Sequence, residues 1–141
     1  MKIFITIVIT ILMTSSSFAY DESLLINVKQ VSRLLNKANL SGKTPGGAPC
    51  EVELRRIEDG YYTVYSRTAT DEIFIALDLE VYGITPVSSW TQTSFELEEP
   101  GCFSAQNLKM RVENATKKLV VDSRDEYEGH VREIRCYLPL K

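Results

Sequence analysis

Among the acidic residues of this chain, Asp78 with Glu80 and Glu96 with Glu98 stand as pairs two residues apart. Side chains two apart on an extended strand project from one face, so each pair could serve as acid and base in cleaving a glycosidic bond. The same spacing on the wet face of an antiparallel strand is also what solubility alone produces. The one imidazole, His130, follows Gly129 in a charged stretch, and no G-x-S-x-G or cysteine-protease context accompanies it. It reads as an exposed residue at a strand start. Three thiols, Cys50, Cys102 and Cys136, are widely spaced, with no C-x-x-C pair and no H-E-x-x-H motif, so no metal set is expected. No cofactor motif is present either. Gly42-Lys43-Thr44 has the wrong order for a phosphate-binding loop, which needs G-x-x-x-x-G-K-[ST] after a strand.

The binding side of the ledger has two features. Between Arg67 and Lys109 there is no basic residue, while Asp71, Glu72, Asp78, Glu80, Glu96, Glu98 and Glu99 are all acidic. An acidic surface of this kind suits a basic partner, or discourages edge-to-edge aggregation. Trp90 lies in a polar stretch, Ser88-Ser89-Trp90-Thr91-Gln92. A large ring in such a loop either folds back on the core or is presented to a ligand. Other aromatics in the first half of the sheet region, among them Tyr61, Tyr62, Tyr65, Tyr82 and Phe95, fit cross-strand packing.

The first nineteen residues decide which environment these groups meet. Lys2 precedes an apolar run from Ile3 to Met13, then small polar residues and Phe18-Ala19, the layout of a cleavable export signal with the cut between Ala19 and Tyr20. The eleven residues of that run rise about 16 Å, short of a hydrocarbon core of about 30 Å. No later stretch approaches that length, so the mature chain, Tyr20 to Lys141, is expected as one globular domain that is secreted or periplasmic, without membrane insertion. Export implies oxidising conditions, so the thiols are disulfide candidates, one bridge with one Cys left over. Without the signal the chain carries 15 basic and 19 acidic residues. That balance argues against a nucleic-acid partner, which calls for clustered basic residues. Asn39-Leu40-Ser41 and Asn114-Ala115-Thr116 match the N-glycosylation pattern, which matters only in a eukaryotic secretory pathway.

Hydropathy patterning supplies the scaffold. Leu24, Leu25, Val28, Val31, Leu35 and Ala38 recur at three- and four-residue spacing, widened by Leu34, and predict a helix from Asp21, its N-cap, to about Leu40. Gly42 stands where a glycine commonly ends a helix. Lys29, Arg33 and Lys37 form a basic stripe on its exposed side. Ser41 to Pro49, with three Gly and two Pro, reads as a loop. The period then changes to two, predicting strands near Cys50–Arg55, Tyr61–Thr68, Glu72–Tyr82, Gln92–Glu98, Leu108–Glu113, Lys118–Asp122 and His130–Leu138. Asp59-Gly60 is a hairpin signal, and Ser123–Gly129 reads as a charged loop. Short turns join antiparallel neighbours. The expected class is therefore α+β: an N-terminal amphipathic helix packed on an antiparallel meander of about seven strands, curled or partly closed into a barrel. In such a meander Cys50 and Cys102 lie at one end and Cys136 at the other, which favours a Cys50–Cys102 bridge.

On these grounds the expected role is a non-enzymatic binding module that turns Trp90 and the acidic residues Asp78, Glu80, Glu96 and Glu98 toward a basic protein or a small ligand. The alternatives are an envelope-polymer hydrolase using Glu96 or Glu98 with His130 or a nearby Tyr, and a structural or stress-related envelope protein without a specific ligand.

Overall fold

The computed structural model describes residues 23–58, 60–78, 86–101 and 103–141. The signal segment Met1–Ala19 with its cut, the cap at Asp21, the turn residue Asp59, Glu80, Tyr82 and Cys102 lie outside the described residues. Helix α1 covers 23–35, and the strands are β1 (Ser41–Lys43), β2 (Pro49–Arg56), β3 (Tyr62–Arg67), β4 (Glu72–Ala76), β5 (Val87–Trp90), β6 (Ser94–Glu99), β7 (Ser104–Glu113), β8 (Lys118–Tyr127) and β9 (His130–Pro139). All pair antiparallel in one sheet of order β4-β3-β2-β1-β9-β8-β7-β6-β5, curled into a half-barrel around α1.

The strand count is nine rather than seven, and the order is not one meander but two. β1 to β4 form the first, β5 to β9 the second, and β1 joins them by pairing with both β2 and β9. Both extra strands come from stretches whose patterning hid them. β1 lies inside the Gly- and Pro-rich segment read as a loop. There Gly42 is required by close approach rather than as a helix end, since a Cβ on it would stand 2.0 Å from the Tyr137 carbonyl oxygen. β5 has all four side chains exposed, so no alternation marks it.

The segment read as a charged loop is also strand, because β8 runs on to Tyr127 and turns through Glu128 and Gly129 straight into β9. Those two residues take left-handed backbone angles, φ of 48° and 82°, which a two-residue hairpin needs. Gly60, at φ 83°, does the same for the expected hairpin after β2.

The inner face holds the apolar positions of every long strand. Val52, Val64, Ile73, Ile75, Phe95, Leu97, Leu108, Met110, Leu119, Val121 and Leu138 pack against Val31, Leu34, Leu35 and Ala38 of α1 and its end. The helix differs from its expected stripe at one flank: Leu25 is exposed, while Asn27 and Gln30 are buried. Each spends its amide on a strand terminus. Asn27 donates to the Leu77 carbonyl at 2.9 Å, and Gln30 donates to the carbonyl of Thr91. α1 thus bridges the end of β4 and the start of the β5–β6 turn.

The disulfide corrects the expected pairing. Cys50 bonds Cys136, with Cα atoms 6.0 Å apart, and both are buried. The expected Cys50–Cys102 pairing assumed strands laid down in chain order. Here β9 folds back beside β1, so Cys50 on β2 and Cys136 on β9 face each other across the narrow β1. The bond closes a separation of 86 residues and fastens the two meanders at their seam.

Candidate functional site

Trp90 ends β5 rather than sitting in a loop, and it is 50% exposed. Its register partner is the buried Phe95, so its ring is on the core side of the sheet, at the rim. The turn that follows is held by Thr91 N–H donating to the Ser94 carbonyl at 2.9 Å and by a 2.7 Å contact between the two hydroxyls. From the turn after α1, Lys37 donates to the Gln92 carbonyl at 2.8 Å, and from α1 Gln30 reaches the Thr91 carbonyl. The basic stripe of the helix therefore contributes one member, Lys37, to fixing this hairpin.

Hydrogen bonding alternates along an antiparallel pair. Because Thr91 and Ser94 form a bonded pair, Ser89–Glu96 and Val87–Glu98 are the next bonded pairs. The backbone N–H and C=O of Ser88 and Trp90 then point away from β6. Among the described residues nothing pairs with that outer edge. Val87, at 62% exposure, and Trp90 are the apolar side chains beside it.

The structure does not bring the expected site residues together. Glu96 and Glu98 project from the outer face of β6, opposite to Trp90, and each is engaged: Lys109 Nζ stands 3.4 Å from Glu96, and Asn107 donates to Glu98 at 3.0 Å. Asp78 follows β4, at the far edge of the sheet from Trp90. His130 opens β9, exposed, opposite Tyr127. Among the described residues no group of three or more His, Cys, Asp or Glu could hold a metal ion.

Outer-face register explains where the acidic run goes. Glu96, Lys109, Asp122 and Arg135 lie in one cross-strand row over β6, β7, β8 and β9, alternating in sign. Asp122 takes both Nε and Nη2 of Arg135, and Arg111 approaches it at 3.5 Å. That bidentate pairing drives the Arg135 pKa further up. In the next row Arg124 reaches Glu133 at 3.3 Å and Glu126 at 3.6 Å. These rows line an open groove of about 700 Å³, rimmed by Pro45, in which Glu98, Asp122 and Glu133 are matched by Lys109, Arg124 and Arg135. The surface is interleaved rather than acidic. Charges that are contiguous in sequence meet their counterparts only once β7 to β9 are laid beside them.

The inner face has one polar row as well. Glu99, Gln106, Asp125 and Arg132 are register neighbours across β6 to β9. Arg132 pairs with Asp125 and also donates to the Glu72 carbonyl at 3.1 Å, while Gln106 donates to the Phe74 carbonyl at 3.2 Å. Both acceptors are on β4, which therefore crosses over this row. Glu99 is 6% exposed, and burial pushes its carboxyl above the usual range. Opposite it, the Gln106 side-chain oxygen is buried without a hydrogen-bond partner among the described residues.

The residues missed by sequence reading are Ser88 and the two helix amides. Trp90 was visible as an exposed aromatic, but the bare edge around it is a property of strand order. Comparison with models of protein families, with curated proteins and with solved structures finds no match for this chain.

Proposed function

We propose that the protein is an exported, non-enzymatic binding module whose contact surface is the outer edge of β5 with Trp90 at its end. The observation that carries this reading is the pairing of a half-exposed Trp with backbone groups unpaired among the described residues, on a hairpin that α1 and the turn after it hold in place. Rigid aromatics beside an open backbone are an economical binding surface, because little ordering entropy is lost on contact. Export rests on the Met1–Ala19 signal, cut before Tyr20. It is supported by the Cys50–Cys136 bond and by the lack, among the described residues, of a helix long and apolar enough to cross a membrane. The hydrolase alternative is disfavoured because Glu96 and Glu98 are tied to Lys109 and Asn107.

The test is site-specific photo-crosslinking from position 88 in the exported fraction of the native host. A discrete adduct that disappears on Trp90→Ala supports the reading. Adduct formation indifferent to Trp90, or turnover of cell-wall or glycan substrates by the purified protein, overturns it.

A further inference from the structure

We infer that the β5 edge takes an extended segment of another polypeptide, added as a tenth strand, with basic side chains alternating with apolar ones. This deepens the reading of the Trp90 edge as a binding surface and rests on it. The backbone argument comes first. Ser88 and Trp90 present two N–H and two C=O groups outward, spaced as a partner strand requires, and strand addition satisfies all four.

Register then divides the incoming side chains. Those opposite Ser88 and Trp90 fall on the inner side, against the exposed indole, where an apolar residue is favoured. Those opposite Val87 and Ser89 fall on the outer side, two strand spacings or about 10 Å from β6. Glu98 and Glu96 occupy those register positions on β6, with only the short Val87 and Ser89 side chains between. Glu98 is exposed and accepts a hydrogen bond from the neutral Asn107 amide, whereas Glu96 already has Lys109 Nζ at 3.4 Å. A Lys or Arg stem from the added strand and a Glu stem from β6 together span the gap.

The same charges argue against a second copy as the occupant. A two-fold β5–β5 contact sets Glu98 of both molecules on one outer face with no added cation between them, a like-sign arrangement that opposes association.

Trp90 is the single tryptophan, so its emission reports this edge alone. The probes are end-capped peptides Lys-Val-Lys-Val-Lys and Glu-Val-Glu-Val-Glu, titrated into the purified protein. The Lys peptide is expected to saturate and shift Trp90 emission to shorter wavelength, and the Glu peptide to bind at least about tenfold more weakly, as opposed charge signs imply. Ser88→Pro removes an outward donor that the β5–β6 ladder does not use, and should weaken the Lys peptide about tenfold or more with the circular dichroism unchanged. E96Q/E98Q should shrink the preference for Lys over Glu without abolishing binding. Equal affinity for both peptides overturns the basic segment while leaving the Trp90 edge a binding surface. Lys-peptide affinity undiminished in Ser88→Pro overturns strand addition. A concentration-dependent dimer that forms without peptide and is lost in Ser88→Pro makes the occupant a second copy, and overturns the inference too. No emission change with either peptide overturns it outright, whereas failure of the wider reading shows separately, as crosslinks from position 88 that ignore Trp90→Ala.

Discussion

The two ends of the sheet are finished in different ways. At β4 the outward backbone groups belong to Glu72, Phe74 and Ala76, and two of those carbonyls are taken by Arg132 and Gln106 reaching over from β9 and β7. The next carbonyl, on Leu77, is taken by Asn27 of the helix. At β5 the corresponding groups of Ser88 and Trp90 have no partner strand among the described residues, where side-chain capping reaches the Thr91 carbonyl. Exposed edges invite pairing, and proteins commonly blunt them with charge, proline or a cover. One edge here has two of its three outward carbonyls capped, by a half-buried amide and an ion-paired arginine, with a buried amide on the carbonyl that follows, while the other has no charge within Val87–Trp90. Among the described residues, capping of this kind is used on one side.

The largest expected effect on this contrast comes from the seam. Reducing the Cys50–Cys136 bond, or C50S/C136S, should cost on the order of 4 kcal/mol by denaturant titration, from loop-closure entropy over its 86-residue separation. Hydrogen exchange should then rise in β2 to β4 before β6 to β8. The reverse order would mean that the sealed edge owes nothing to the seam. Asn27→Ala strands the Leu77 carbonyl and empties a buried site, which should cost about 1–3 kcal/mol. Arg132→Ala removes a half-exposed ion pair and one backbone contact, worth about 1 kcal/mol. It should also bare β4 enough for sedimentation to detect more self-association than in the parent protein.

Glu99 sharpens the comparison through pH. Its carboxyl is raised above 4.5 by burial, so the folded state holds this proton longer than the unfolded chain does. Its contribution to stability is full below pH 4.5 and declines as pH rises through the folded value. Glu99→Gln should match the parent in acid and exceed it at neutral pH, as thermal midpoints across pH would reveal. A variant weaker than the parent at neutral pH would indicate an ionised, compensated Glu99 instead. Smallest of all, Ser88→Pro should shift stability by no more than about 0.5 kcal/mol, since the lost N–H faces outward. A larger loss would mean that the β5 edge is sealed after all.

Much of the scaffold was legible in the residues. Period-two patterning located the cores of β2, β3, β4, β6, β7, β8 and β9, since each has one apolar face against α1. What escaped notice has a common cause. β5 is exposed on both faces and the end of β8 is polar on both, with Asp125 turned inward to meet Arg132. Neither offers the contrast between faces on which the pattern depends. Strand order was illegible for another reason: the rule that successive strands are neighbours holds at every hairpin and fails at the passage from β4 to β5, which lie at opposite edges. The disulfide followed from that one failure. Of the site, Trp90 was found by type, but the placement of Glu96 and Glu98 behind it depended on facing, and the neutralising role of Lys109, Arg124 and Arg135 on register.

The three-residue β1 has a topological consequence. The two meanders are held side by side by β1 against β9, by the covalent bond from β2 to β9, and by the reach of Arg132, Gln106 and α1 across the inner face. Chain continuity between β4 and β5 is thus redundant with the sulfur link. A molecule opened between Asp78 and Pro86 remains one covalent body of two interlocked fragments, and the fold is in this sense a natural split protein whose halves are already riveted.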